Sequence, residues 1–285
     1  MAKIAWLGTG MMGSGFVEAL RRRGDEVVVW NRTSEKAHAL ERFGARAVDD
    51  PREAVKGVDR VHSILSDDAS VDAMLDRLDG AIASGTPVVD HTTVAPRPTA
   101  ARFERCAERG IEFLHAPVFM SPQACRDGTG LMLCSGPHER LMRVESELKK
   151  MTGTLWYVGE RTDKAAALKL FGNEMLLAIV AGLADGFALM RSVGIGPQEA
   201  HELFAHFKPG GAIEMRGKAM AEGKFTPPAF ELSMARKDAR LMLESAASGG
   251  VALHVLPAIA ARMDELLAEG HGGEDMGVLA IESVR

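Results

Sequence analysis

At 285 residues the chain is long enough for two domains, each with its own core, and its 46% hydrophobic and 26% charged content is that of an ordinary soluble protein. A formal net charge of -5, with no Lys/Arg cluster longer than Arg21-Arg22-Arg23, argues against a nucleic-acid partner held by phosphate neutralisation, and that triplet reads as a solvated helix end. Three cysteines, Cys106, Cys125 and Cys134, lack C-x-x-C spacing, which argues against a disulfide framework or a zinc site and for a reducing compartment. No signal-peptide pattern opens the chain, so a cytoplasmic location is expected.

In chain order, residues 3–7 form a short apolar run that stops at Gly8. The sequence G-T-G-M-M-G follows, fitting G-x-G-x-x-G with Gly8, Gly10, Met11, Met12 and Gly13. An amphipathic helix comes next (Phe16, Val17, Leu20), and a second strand over 26–30 arrives at βαβ spacing. In such a unit Gly8 permits the tight turn, Gly10 lets a pyrophosphate approach the backbone, and Gly13 lets helix pack on strand. The helix N-terminus then faces the phosphates, so a bound dinucleotide is expected.

The end of the second strand selects the dinucleotide, because an acid there would bond a ribose 2′-hydroxyl and repel a 2′-phosphate. The residues are Asn31, Arg32 and Thr33. With no carboxylate, a guanidinium that can fork onto phosphate and a hydroxyl that can donate to it, NADP(H) is expected over NAD(H). Further strand-like runs at 60–65, 87–90, 111–114 and 131–135 alternate with helical or irregular stretches. They predict a parallel, doubly wound sheet with ligands beyond the carboxyl ends of its strands.

Residues 164–191 read as one long helix with only Lys169, Glu174 and Asp185 charged between 165 and 190. That pattern predicts burial around most of its circumference between two bodies of protein. The uninterrupted apolar run, 175–184, is shorter than the roughly twenty residues a span needs, so no membrane is expected; Gly172, Gly182 and Gly186 suggest close packing by other helices. Lys169 and Asn173 share a face at i, i+4 spacing. Thr162 or Asp163 is placed to cap the helix start. Beyond Arg191 the composition stays helical, with breaks near 194–197, 208–211, 227–228, 249–250 and 270–273.

These features together resemble the β-hydroxyacid dehydrogenase family, which includes 3-hydroxyisobutyrate, tartronate semialdehyde and succinic/glyoxylic semialdehyde reducing enzymes. The resemblance runs through LGTGMMGSGF, the Asn31-Arg32-Thr33 turn, Leu65-Ser66-Asp67, Asp90-His91-Thr92-Thr93-Val94 and His115-Ala116-Pro117-Val118. It implies cofactor contacts from Leu65, Ser66, Asp67 and Thr93, with Thr93 also near the substrate, and Lys169 as general acid/base with Asn173 beside it. In the segment 230–241 it implies that Lys237 returns toward the nicotinamide and substrate, although on its own the Lys237-Asp238 pair reads as solvated. Three places depart from the family, one of them the approach to the long helix, where relatives carry two closely spaced glycines and this chain has Gly159 followed by Glu160-Arg161-Thr162-Asp163. Where relatives carry Ser-Gly-Gly or a near relative to hold a carboxylate, this chain has Phe119, Met120 and Ser121; where they carry a first Asn after the lysine it has Gly172. Either Ser121 replaces the missing donor, or the substrate differs, or Phe119 and Met120 simply face the core.

The expected protein is thus an α/β chain with an N-terminal Rossmann-type doubly wound sheet over 1–162. An all-α C-terminal domain follows over 163–285, beginning with the long interdomain helix 163–191. The expected activity is NADP(H)-dependent interconversion of a small β-hydroxy acid or related alcohol and its semialdehyde or ketone, without a metal. Lys169 and Asn173 would be catalytic, with Thr93, Phe119, Met120, Ser121 and Lys237 at the substrate. An imine reductase-like enzyme and a catalytically silent NADP(H)-binding protein are the alternatives. The resemblance also implies a homodimer or homotetramer through the helical domain.

Overall fold

The computed structural model describes residues 1–284. Six strands, β1 (Lys3–Leu7), β2 (Glu26–Trp30), β3 (Arg46–Ala47), β4 (Arg60–Ser63), β5 (Pro87–Asp90) and β6 (Glu112–His115), pair in parallel in the order β3-β2-β1-β4-β5-β6. Alternate residues feed opposite faces: Ile4, Trp6, Val27 and Val29 enter one buried cluster, and Ala5, Leu7, Val28 and Trp30 the other. A strand buried on both faces reads as the continuous apolar run seen in the sequence. The order reverses between β1 and β4, so the segments leaving their carboxyl ends border a crevice.

The run at 131–135 does not join this sheet. It forms β8 (Leu131–Cys134) of a second, three-stranded sheet, antiparallel to β7 (Val118–Phe119) and parallel to β9 (Thr154–Tyr157). β3, β7 and β9 carry no usable periodicity, since two are only two residues long and the third alternates exposed and half-buried residues at an edge. The two sheets are stitched by a bridge between His115 and Ser135.

A buried polar chain runs through the first sheet. Arg60 Nε donates to His62 Nε2 at 3.1 Å, His62 Nδ1 lies 3.0 Å from His91 Nε2, and His91 Nδ1 lies 2.7 Å from the Ala116 carbonyl oxygen. Arginine can only donate, which makes His62 Nε2 an acceptor and Nδ1 its protonated nitrogen. His91 then accepts at Nε2 and donates from Nδ1 to Ala116. Both rings are neutral and stacked on one another and on Trp6. Burial pushes the pKa of His62 well down and that of His91 down to about 4.

The chain divides by its contacts into two units, the first ending at Glu174 and the second starting at Met175. The second unit is helical, with Pro197–His206, Gly211–Ala221, Leu232–Ser248 and Leu256–Ala268 following the break positions read from the sequence. Its core joins Leu232, Ala235 and Ala239 to Met263, Leu266 and Val278.

The long helix spans Lys164–Ser192 and departs from expectation in three ways. It is not buried all round: Phe171 is 65% exposed, Leu177 72% and Val180 64%. Among the described residues nothing lies within 4 Å of a Cβ built at Gly182 or Gly186, and the neighbour of Gly172 is the Phe119 ring, not another helix. Its length and composition also meet the requirements for crossing a membrane, which the count of uninterrupted apolar residues understated. Asp185, its buried acid, accepts backbone N–H bonds from His254, Val255 and Leu256 and so caps the start of the helix Leu256–Ala268. The arginine triplet is likewise not simply solvated, since Arg21 donates to the Asp25 carbonyl and Arg23 to that of Lys150.

Candidate active site

The glycine-rich turn has the geometry its sequence requires. Gly8 sits at φ +96°, and a Cβ there would meet the Ile64 carbonyl oxygen at 2.2 Å. A Cβ at Gly13 would meet the Gly8 carbonyl oxygen at 2.1 Å, whereas at Gly10 the space is open. The helix that follows, Met11–Arg22, has no side-chain cap, so first-turn N–H groups stay available for an anion. The buried Thr9 hydroxyl has no hydrogen-bond partner among the described residues. Asn31 locks the turn, its Oδ1 accepting from Thr9 N and its Nδ2 donating to the Thr33 carbonyl.

A cleft of about 700 Å³ opens from Gly8 and Gly10 past Asn31, Arg32 and Thr33 to Leu65 and Ser66. Sequence reasoning missed Ser34, Lys36 and Arg77 on its walls. Lys36 lies just past the Asn31-Arg32-Thr33 turn and was findable by extending that motif into the helix Ser34–His38. Arg77 reaches the cleft from the end of another helix and stacks near the Trp30 ring at 5.5 Å, a tertiary placement no local signal announces. The cleft thus gathers three cations against one lining acid, Asp49, which is occupied by the Ser34 hydroxyl at 2.5 Å.

Asp67 is a helix cap, accepting from Ser70 N at 2.8 Å. Hydrogen bonds from Ser70, with help from the charge of Arg32, hold its carboxyl below the usual carboxylate range. Leu65 N is tied to Thr92 Oγ1 at 2.9 Å, and Thr92 in turn donates to Asp90, which fixes the exposed Thr93 beside the end of β5.

Lys169 is 7% exposed. Its Nζ donates to Asn173 Oδ1 at 3.0 Å and lies 3.9 Å from the centre of the Phe119 ring. Burial is the cause that lowers its pKa. The start of its helix is held by Ser135, whose Oγ accepts from Ala165 N and donates to the Thr162 carbonyl. Of the two residues expected at the cap, Asp163 accepts from Arg161 at 2.6 and 3.0 Å. A hydrogen-bonded path therefore runs from the Thr92 carbonyl through His115 to the β-bridge at Ser135 and on to the Lys169 helix.

Phe119 is half-buried with Leu131, Leu133 and Leu168, and Met120 packs on the core of the first sheet. Ser121 is exposed and caps the helix Pro122–Asp127, its Oγ accepting from Ala124 N. Lys237 lies in the second unit at the surface, 2.9 Å from Asp238. No group of three His, Cys, Asp or Glu side chains suited to a metal occurs among the described residues, and the three cysteines are free and buried.

A parallel sheet with a glycine-rich turn at its reversal point and a helical second unit defines an NAD(P)-dependent oxidoreductase of two-unit design. Residues 3–159 match the family described as the NAD binding domain of 6-phosphogluconate dehydrogenase, and residues 164–281 that described as NAD-binding of NADP-dependent 3-hydroxyisobutyrate dehydrogenase. The chain belongs to the β-hydroxyacid dehydrogenase family. It is 29% identical to the uncharacterized oxidoreductase YfjR of Bacillus subtilis, over 97% of this chain and 98% of that one. It is 31% identical to glyoxylate/succinic semialdehyde reductase 2 of Arabidopsis thaliana, over 86% of this chain and 69% of that one. An imine reductase from Myxococcus stipitatus, solved with NADP+, superposes with a TM-score of 0.90 over 97% of this chain and 98% of that one; at 22% identity this likeness carries the fold alone.

Proposed function

We propose that the protein is an NADP(H)-dependent dehydrogenase/reductase that interconverts a small hydroxy acid or related alcohol and its semialdehyde or ketone. The observation that carries this reading is Lys169: a buried ammonium with a shared amide partner and a lowered pKa, on a helix anchored to the nucleotide-binding unit. When bound, the nicotinamide supplies or accepts the hydride, two electrons with one proton. Lys169 gives its proton to the carbonyl oxygen as the carbon is reduced, or takes the hydroxyl proton as it is oxidised. Desolvation makes that proton easier to lose than in a surface lysine. Asn173 holds the ammonium and has its amide N–H₂ left to orient the reacting oxygen. The same ammonium disfavours a protonated imine in its place, by like-charge repulsion. Incubation of the purified chain with NADPH and a panel of short carbonyl compounds is expected to oxidise the cofactor. NADPH binding without turnover across a broad panel would leave the protein a silent binder.

The preference for NADP(H) is supported by the missing acid after β2 and by Arg32, Lys36 and Arg77 around the cleft. Arg32→Ala is expected to weaken NADPH binding at least tenfold and NADH binding hardly at all, as read by fluorescence titration; equal losses would sink the assignment. Association through the helical domain is supported by the exposed run of Leu176, Leu177, Ile179 and Val180 on the long helix. Light scattering is expected to show two or four chains per particle, and a monomer at micromolar concentration would contradict it.

A further inference from the structure

The first backbone N–H groups of the long helix have no partner within it and must find one outside. Lys164 N bonds back to the Arg161 carbonyl at 3.1 Å, and Ala167 N to that of Asp163 at 3.0 Å. Ala165 N, lying between them, is taken by a residue from another element: Ser135 Oγ accepts from it at 3.2 Å and donates to the Thr162 carbonyl at 3.0 Å. Ser135 and Ala165 are both fully buried, so bulk water reaches neither group. One hydroxyl thus satisfies a donor and an acceptor of the turn from which the helix starts.

Ser135 is itself fixed. It directly follows β8, its N–H donates to the His115 carbonyl at 3.1 Å, and Leu133 of β8 shares a buried cluster with Ala165. His115 Nε2 lies 2.9 Å from the Thr92 carbonyl oxygen, in the peptide that joins Thr92 to Thr93. A carbonyl only accepts, so Nε2 carries the proton. Two residues, His115 and Ser135, therefore connect the Thr92-Thr93 peptide to the first turn of the helix.

The grip falls on the side that carries the chemistry. Ala165, Lys169 and Asn173 follow one another at four-residue intervals and share a face. Lys169 stands about 6 Å further along the axis than Ala165. With Ala165 N pinned, the helix can neither turn about its axis nor slide along it without breaking a buried hydrogen bond.

We propose that Ser135 is a positioning residue: its hydroxyl fixes the rotation and height of the long helix, and so where the Lys169 ammonium stands relative to Thr93. The proposal rests on the reading of Lys169 as the proton donor and deepens it, since a misplacement of about 1 Å is enough to cost on the order of 10²-fold in rate. Burial lowers the pKa of Lys169, and a helix start with play in it lets water reach Nζ.

Ser135→Ala removes the hydroxyl at nearly constant volume, and the full chain is compared with the unaltered protein by two measurements. In carbonyl reduction with NADPH, kcat is expected to fall about tenfold to 10²-fold. KM for NADPH should change little, because Ser135 does not line the cleft at Gly8 and Gly10. The second measurement needs no substrate: an NMR titration of protein whose lysines carry carbon-13 at Cε, the Lys169 signal being the one missing from Lys169→Ala. In Ser135→Ala the Lys169 pKa is expected to rise by about 0.5 pH unit or more, toward the free value of about 10.4. A folded Ser135→Ala whose Lys169 titrates as in the unaltered protein overturns the proposal, whatever its rate. A raised pKa with undiminished kcat in both Ser135→Ala and Lys169→Ala supports the clamp and removes the proton-donor reading. If Ser135→Ala does not fold, Ser135→Cys decides by the same titration, because a thiol fills the place but donates and accepts only weakly: a raised Lys169 pKa supports the proposal and an unchanged one overturns it.

Discussion

Replacing Lys169 by alanine is expected to lower kcat for carbonyl reduction by about 10²- to 10⁴-fold, the span a positioned general acid contributes. NADPH affinity should change little, because Lys169 does not line the cleft that begins at Gly8 and Gly10. The pH profile adds an independent reading. Burial lowers the pKa of Lys169 from its ordinary value, so in the reductive direction the rate should fall as pH rises through a value below about 10.4, where the proton to be donated is lost. In the oxidative direction the dependence should reverse. Steady-state kinetics of both directions, with the variant as control, checks this. A Lys169→Ala enzyme with undiminished kcat would remove the proton-transfer role altogether.

Acid should unfold the first unit through its buried histidines. His91 has a folded pKa of about 4, against about 6.5 when exposed in the unfolded chain, and burial is the leading cause. Between those values the unfolded state binds the extra proton and the folded state does not. Stability is therefore fully present above about pH 6.5, falls as pH drops, and has lost on the order of 3 kcal/mol from His91 alone below about pH 4. His62 and His115 are depressed in the same direction by burial, and Arg60 adds repulsion at His62, so the loss is steeper than one histidine would give. Protonating His91 at Nε2 would also set two donors face to face with His62 Nδ1. Denaturant titrations from pH 8 to pH 4 measure the slope. His91→Gln is expected to flatten it, and an identical slope in that variant would place the acid sensitivity elsewhere.

Much of the nucleotide-binding unit was legible because its constraints are local. Gly8 and Gly13 leave no room for a Cβ, so the turn must be written in glycine, and the burial of β1 and β2 on both faces must be written as apolar runs. Lys169 and Asn173 were readable as a pair because a helix repeats its face every three to four residues. β7 and the membership of β8 were not readable, since pairing partners distant in sequence leave no periodic trace in a strand this short.

The sequence by itself determined the cradle for a dinucleotide, the absence of an acid after β2 and the helical second unit, which follow from spacing and composition along the chain, while the family entered through the resemblance of its motifs. Only the tertiary structure decided how the departures from the family fit together. Phe119 and Gly172 are 53 positions apart in the chain, and each alone reads as a loss. Folding brings β7 against the long helix, where the ring takes the volume the glycine vacates and covers the face of Lys169. Exclusion of volume acts between neighbours in space, so neither position could announce the other.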